Sequence, residues 1–162
     1  GDLLGGGAEE RATRKGHGRA SGFFLVGSDA EIVVQLVHVG GQLVVRDHVD
    51  DAAVPVLMRQ ARAVAYPSRG EGFGLPVLEA LACGAEVVTT AGTVMEEVAD
   101  SAATFTSAGD SGQLADALRD AVNRAAGDRE ARSQVAITRA AKFTWTATAD
   151  AHRDVYRRLA KG

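Results

Sequence analysis

Short apolar runs alternate with stretches of helical periodicity through the middle of the chain. Phe23-Phe24-Leu25-Val26, closed by Gly27, reads as a strand, and so do Gln42 to Arg46, Ala63 to Tyr66, Glu86 to Thr90 and Ala103 to Thr106. Between them the pattern predicts helices over Asp29 to Val39, Asp51 to Ala61, Leu75 to Cys83 and Val94 to Ala99, with Gly84 as the residue just past the third. From Ser111 onward only helix is predicted. Leu114, Leu118, Ala121, Val122 and Ala125 mark one apolar face there. Trp145, Ala149, His152, Tyr156 and Leu159 form a stripe on the last helix, of the kind that usually meets a core. Strands alternating with helices imply βαβ units, and hence an α/β fold in three layers, a mostly parallel sheet covered by helices on both faces.

Residues 1–22 read differently. Asp2-Leu3-Leu4 suits a strand, Gly5-Gly6-Gly7 a turn, Ala8 to Lys15 a short helix and Gly16 to Gly22 a loop. Together they resemble a truncated first βα unit, cramped against the ~10–12 residues that such a crossover needs. The expected organisation is therefore an N-terminal segment over 1–22, an α/β body over 23–142 and a C-terminal helix over 143–162.

Composition narrows the function classes. The chain has 162 residues, a length that suits one domain. With 18 Lys+Arg against 21 Asp+Glu it carries a formal charge of −3, which argues against a nucleic-acid partner. At 46% hydrophobic and 24% charged it has the composition of a folded globular chain. Its apolar runs are far shorter than the ~20 residues of a membrane span, and no signal-peptide pattern is present. The single cysteine, Cys83, cannot build an internal disulfide framework, suits a reducing, cytoplasmic compartment, and is expected to be a small buried residue. The sequence begins with Gly1 rather than Met, as a processed, excised or incompletely recorded chain would. His17, His38, His48 and His152 are scattered, with no His/Cys grouping at metal-ligand spacing and no Asp-x-Asp, so no metal is expected.

The chemistry concentrates between Pro67 and Gly84, in Pro67-Ser68-Arg69-Gly70-Glu71-Gly72-Phe73-Gly74-Leu75-Pro76-Val77-Leu78-Glu79-Ala80-Leu81-Ala82-Cys83-Gly84. A strand stopped by Pro67 leaves its loop at the carboxyl edge of the sheet, where ligands bind in open α/β folds. Gly70, Gly72 and Gly74 allow close backbone approach. Pro76 suits a first helical turn. The free N–H groups of that turn, with the helix dipole, favour a phosphate. Glu71 precedes the turn and Glu79 follows it. Carboxylates touching a phosphate would repel it, but carboxylates on either side can accept hydrogen bonds from hydroxyls. A nucleoside diphosphate sugar has that layout: ribose hydroxyls, diphosphate, sugar hydroxyls. Glu96 fits the start of its helix, where the dipole favours acids.

Glu71 to Gly84 resemble the E-x7-E region of retaining GT-B glycosyltransferases of group 1 (family 4), whose pattern reads E-G-F-G-L-P-x-x-E-A-x-A-x-G. The similarity extends forward through Glu86 to Thr90 and Gly92 to Glu96, and backward through His48 to Asp51 and Leu57 to Tyr66. It ends with Phe143-Thr144-Trp145 and the helix bearing Tyr156, covering residues 23–160. The resemblance implies the C-terminal, donor-binding, Rossmann-like half of a GT-B fold. It implies that Glu71 contacts the transferred sugar and that backbone N–H groups of Phe73, Gly74 and Leu75, beside Gly72, face the sugar and diphosphate. Glu79 would hold the ribose, and His48 and Val49 would lie near the base. The family's Gly-Arg…Lys-Gly loop is matched in its second half by Lys15-Gly16, which makes Lys15 the cation for the diphosphate.

The donor would be a UDP-, GDP- or ADP-sugar, and the hexosyl acceptor is unidentified. No metal or other cofactor is implied. An N-terminal GT-B half would carry the acceptor site and cover part of the Trp145 stripe, the isolated chain being inactive or weakly active. The complete enzyme would be cytoplasmic, or peripheral at a membrane. Two alternatives stand beside this reading. One is a non-catalytic donor half of a split enzyme, which the half-matched Lys15 loop favours. The other is a different GT-B-fold enzyme, such as a sugar-nucleotide epimerase or a phosphorylase.

Overall fold

The computed structural model describes residues 23–25, 34–38, 42–46 and 49–161, the first three stretches as backbone. The expectations for residues 1–22, Lys15 among them, and for His48 lie outside the described residues.

Four parallel strands form the central sheet in the order β1-β4-β5-β6: β1 (Phe23–Leu25), β4 (Ala63–Tyr66), β5 (Val87–Thr90) and β6 (Ala103–Thr106). Phe24 pairs with Val64, Ala65 with Val88 and Val87 with Ala103. Every residue of β4 and β5 is buried, as expected where helices cover both faces and strands read as continuous apolar runs. On one face Val64, Tyr66 and Val87 join the larger core with Met58, Val77, Leu81 and Met95. On the other, Ala63 and Val88 meet Ala121, Leu114, Ala117 and Leu118 of α4 (Ser111–Asn123), which bears out most of the stripe read from the sequence; Ala125 is exposed.

The expected helix over Asp29 to Val39 is not what forms. Residues Val34–His38 are a strand, β2, paired antiparallel with β3 (Gln42–Arg46) in a separate two-stranded sheet, from Val34 opposite Arg46 to His38 opposite Gln42. β3 is thus a strand as expected, but it lies outside the parallel sheet. The cause is legible. Ile32, Val33, Val34, Val37 and Val39 crowd a helix but suit a strand. Gly40-Gly41 follows, between two runs that can satisfy each other's backbone.

The remaining helices follow their sequence signals: α1 (Val54–Gln60), α2 (Leu75–Ala82), α3 (Val94–Ala99), α5 (Ala126–Ala140) and α6 (Trp145–Leu159). Thr93 caps α3, its hydroxyl accepting from the Met95 N–H, and Glu96 and Glu97 occupy the first turn where the dipole favours them. Gly84, at φ +70°, ends α2: the Gly84 N–H donates to Leu81 O at 2.9 Å and the Ala85 N–H to Ala80 O at 3.0 Å, the paired bonds of a Schellman motif. At the foot of β5, Glu86 is buried and held by Arg132 Nε at 2.7 Å and Arg124 at 3.5 Å, which locks α5 and the end of α4 to the sheet. Among the described residues α6 buries none of its side chains, and Trp145 is 89% exposed. No described helix is long and apolar enough to cross a membrane.

Candidate functional site

The carboxyl edge of the sheet is tied together by threonine hydroxyls. Thr89 Oγ1 donates to Tyr66 O at 2.8 Å, Thr106 Oγ1 to Thr89 O at 3.3 Å and Thr93 Oγ1 to Thr90 O at 2.9 Å. This edge fixes where the bend after β4 departs. Pro67 is exposed, Ser68 turns back into the protein, and the chain crosses Gly70, Glu71 and Gly72 before entering α2 at Gly74.

Gly74 is the N-terminal cap of α2, with φ +86°, a conformation that favours glycine. A Cβ there would lie 3.3 Å from Met95 Cγ, so the cap also sits close against α3. The sequence reading gave unusual dihedrals to three glycines. Gly70 and Gly72 keep φ outside the left-handed region, and a Cβ at either would meet nothing within 4 Å, so the surface there is open rather than strained. Pro76 stands in the first turn as expected, and no side chain caps that turn. Leu75, 57% exposed, opens the helix at its positive dipole end, next to the buried Gly74. Phe73 is exposed but braced: its ring meets Phe143 edge-on at 5.9 Å, and Arg139 stacks over Phe143 at 5.1 Å while donating from Nε to Val98 O at the end of α3.

Glu71 is half-buried beside the bend. Its Oε1 accepts a hydrogen bond from Tyr66 Oη and one from Ser68 Oγ at 3.1 Å; among the described residues no donor reaches Oε2. Burial, reinforced by the Glu71 charge, pushes the Tyr66 phenol well above its ordinary value. Glu79 lies further along α2, exposed. It lines a cleft of about 370 Å³ with Asp51, Val54, Pro55 and Met58 from the α1 side and Ala82 and Cys83 from its own end. Val49, half-buried, packs against the core just ahead of α1.

Glu71 thus precedes the helix start, Glu79 lies beyond the first turn of α2, and the cleft walls include Glu79 and not Glu71. Cys83, expected to be buried, is half-buried at the end of α2; burial raises its thiol, Arg59 opposes that and Glu79 adds to it. The sequence reading missed Tyr66 and Ser68 as partners of Glu71, and it missed the wall that α1 gives to the cleft.

As chemistry, the arrangement offers a helix start that no side chain caps, a carboxylate in the bend before it and, further along α2, a partly apolar cleft with Glu79 on its wall. Comparison with known proteins supplies the family. The model of the family Glycosyl transferases group 1 matches residues 10–124. The chain is 42% identical over 105 residues to the D-inositol 3-phosphate glycosyltransferase of Mycobacterium bovis, a match covering 63% of this chain and 22% of that protein. It is 39% identical over 93 residues to O-antigen chain mannosyltransferase B of Escherichia coli, covering 56% of this chain and 22% of that one. The aligned part is therefore about a fifth of the length of these curated relatives. Sucrose-phosphate synthase from Thermosynechococcus elongatus superposes with a TM-score of 0.60 at 24% identity, over 72% of this chain and 30% of that one, a likeness that shows the fold, a Rossmann-like half of the GT-B architecture. With the family model spanning both glutamates and the whole bend between them, the chain belongs to the Glycosyl transferases group 1 family.

Proposed function

We propose that this chain is the donor-binding part of a retaining glycosyltransferase that moves a hexosyl group from a UDP-, GDP- or ADP-sugar to an acceptor held by an N-terminal half. The observation that carries the reading is the start of α2, which no side chain caps, with Glu71 in the bend before it and Glu79 further along the helix on the wall of the cleft. The diphosphate would sit against the N–H groups of Phe73, Gly74 and Leu75, beside the open Gly72, with Lys15 as its cation. Charge growing on the diphosphate as the sugar bond breaks would be stabilised by donors already in place, without a metal. Glu79, in the cleft under α1, would accept from the ribose hydroxyls, with Val49 and His48 beside the base. Glu71 would accept from the transferred sugar. The half-buried thiol of Cys83 suits the reducing cytoplasm.

Calorimetry of the purified chain against UDP, GDP, ADP and their sugars tests this. A hydrogen bond to a charged group contributes about 1.5–3 kcal/mol, and about 1.4 kcal/mol is tenfold in affinity. Glu79→Ala is therefore expected to weaken bare nucleotide by roughly one to two orders of magnitude. Glu71→Ala is expected to weaken the sugar nucleotide more than the bare one. A folded chain with no affinity for any activated sugar overturns the reading.

A further inference from the structure

We propose that Tyr66 and Ser68 are positioning residues that pin Glu71 through Oε1 and leave Oε2 as the oxygen that receives a hydroxyl of the transferred sugar. The inference rests on the function proposed above and adds to it which oxygen of Glu71 works and what holds it.

Tyr66 and Ser68 are each only 3% exposed, and buried hydroxyls need partners. Both find the same one, Glu71 Oε1. A carboxylate oxygen has about two acceptor positions, so two donors fill Oε1 and leave the remaining capacity on Oε2. The bonds are charge-assisted and therefore strong. The Ser68 proton is shared, since Gly70 O lies 3.2 Å from the same hydroxyl, which makes Tyr66 the firmer anchor. Tyr66 is itself fixed: its ring is in the core and its carbonyl accepts from Thr89. Its phenol stays protonated, and so remains a donor, throughout the neutral range. All three groups come from the short run that leaves β4, so the clamp is set by the local bend and by the rigid sheet beneath it.

The test is calorimetry on the full chain with three probe pairs: UDP and UDP-glucose, GDP and GDP-mannose, ADP and ADP-glucose. The quantity read is sugar preference, the Kd of the nucleotide divided by the Kd of its sugar, for whichever pair binds. Tyr66→Phe is expected to cut that preference roughly tenfold (about 1.4 kcal/mol) while leaving the Kd of bare nucleotide in place. Ser68→Ala is expected to cut it less. Adding Tyr66→Phe to Glu71→Ala is expected to cost no further preference, because the clamp has nothing left to hold. A tyrosine with a merely structural role would lower the melting temperature and weaken both ligands alike, and that result overturns the clamp. If Tyr66→Phe does not fold, Ser68→Ala reads the same quantity. Preference kept in both clamp variants but lost in Glu71→Ala overturns the clamp alone. Preference unchanged in Glu71→Ala, or no binding by any probe, overturns the underlying reading as well.

Discussion

A phenol whose pKa is raised on folding binds its proton more tightly in the native state than in the unfolded chain. For Tyr66 the main cause is burial, and Glu71 adds to it. Below the ordinary tyrosine value of about 10 both states hold the proton, and the stabilisation is fully present. Above it the unfolded chain releases a proton that the folded one keeps, so stability falls as pH rises. The melting temperature is therefore expected to drop above about pH 10, and less steeply in Tyr66→Phe; equal slopes for the two proteins would show that Tyr66 does not contribute. Glu71 and Glu79 themselves were visible in the sequence because their spacing around a glycine-rich bend and a helix start has chemical meaning. The hydroxyls that hold Glu71 were not. Tyr66 reads as the apolar end of a strand, and whether its Oη meets a carboxylate five residues on depends on how the bend folds back.

Among the elements, α2 is the best specified, and its end carries the sharpest test. Gly84 has φ +70°, and a Cβ there would overlap Ser133 Oγ on α5 and lie 3.2 Å from Ile137 Cδ1. Gly84→Ala must therefore adopt a left-handed backbone, at about 1–2 kcal/mol, and displace the Ser133 hydroxyl and the Ile137 side chain of α5 as well. At about 2–4 °C per kcal/mol for a chain of this size, a melting temperature lower by several degrees is expected, and an unchanged one would contradict the close packing of α2 on α5. Ala63–Tyr66, Val94–Ala99 and Ala103–Thr106 have the limits read from the sequence, since Pro67, the Thr93 cap and the apolar runs mark them plainly. β2 was misread because local periodicity does not reveal a partner strand, and β3 supplies that partner across Gly40-Gly41. The cleft beside Glu79 was hidden for a related reason: its opposite wall comes from α1, and only tertiary packing brings α1 there.

At the scale of the molecule, helices close both faces of β4 and β5, while among the described residues the last helix leaves its large aromatic and aliphatic side chains exposed. Trp145 is the chain's single tryptophan and lies on that helix. This gives the protein an intrinsic optical reporter. Its fluorescence is expected to have the red-shifted emission of a hydrated indole and to be quenched readily by acrylamide. Anything that seats on the helix would shift the emission to the blue and shield it from quencher, so association can be followed without a label. Emission that is already blue and resistant to acrylamide would mean that the indole is covered in solution.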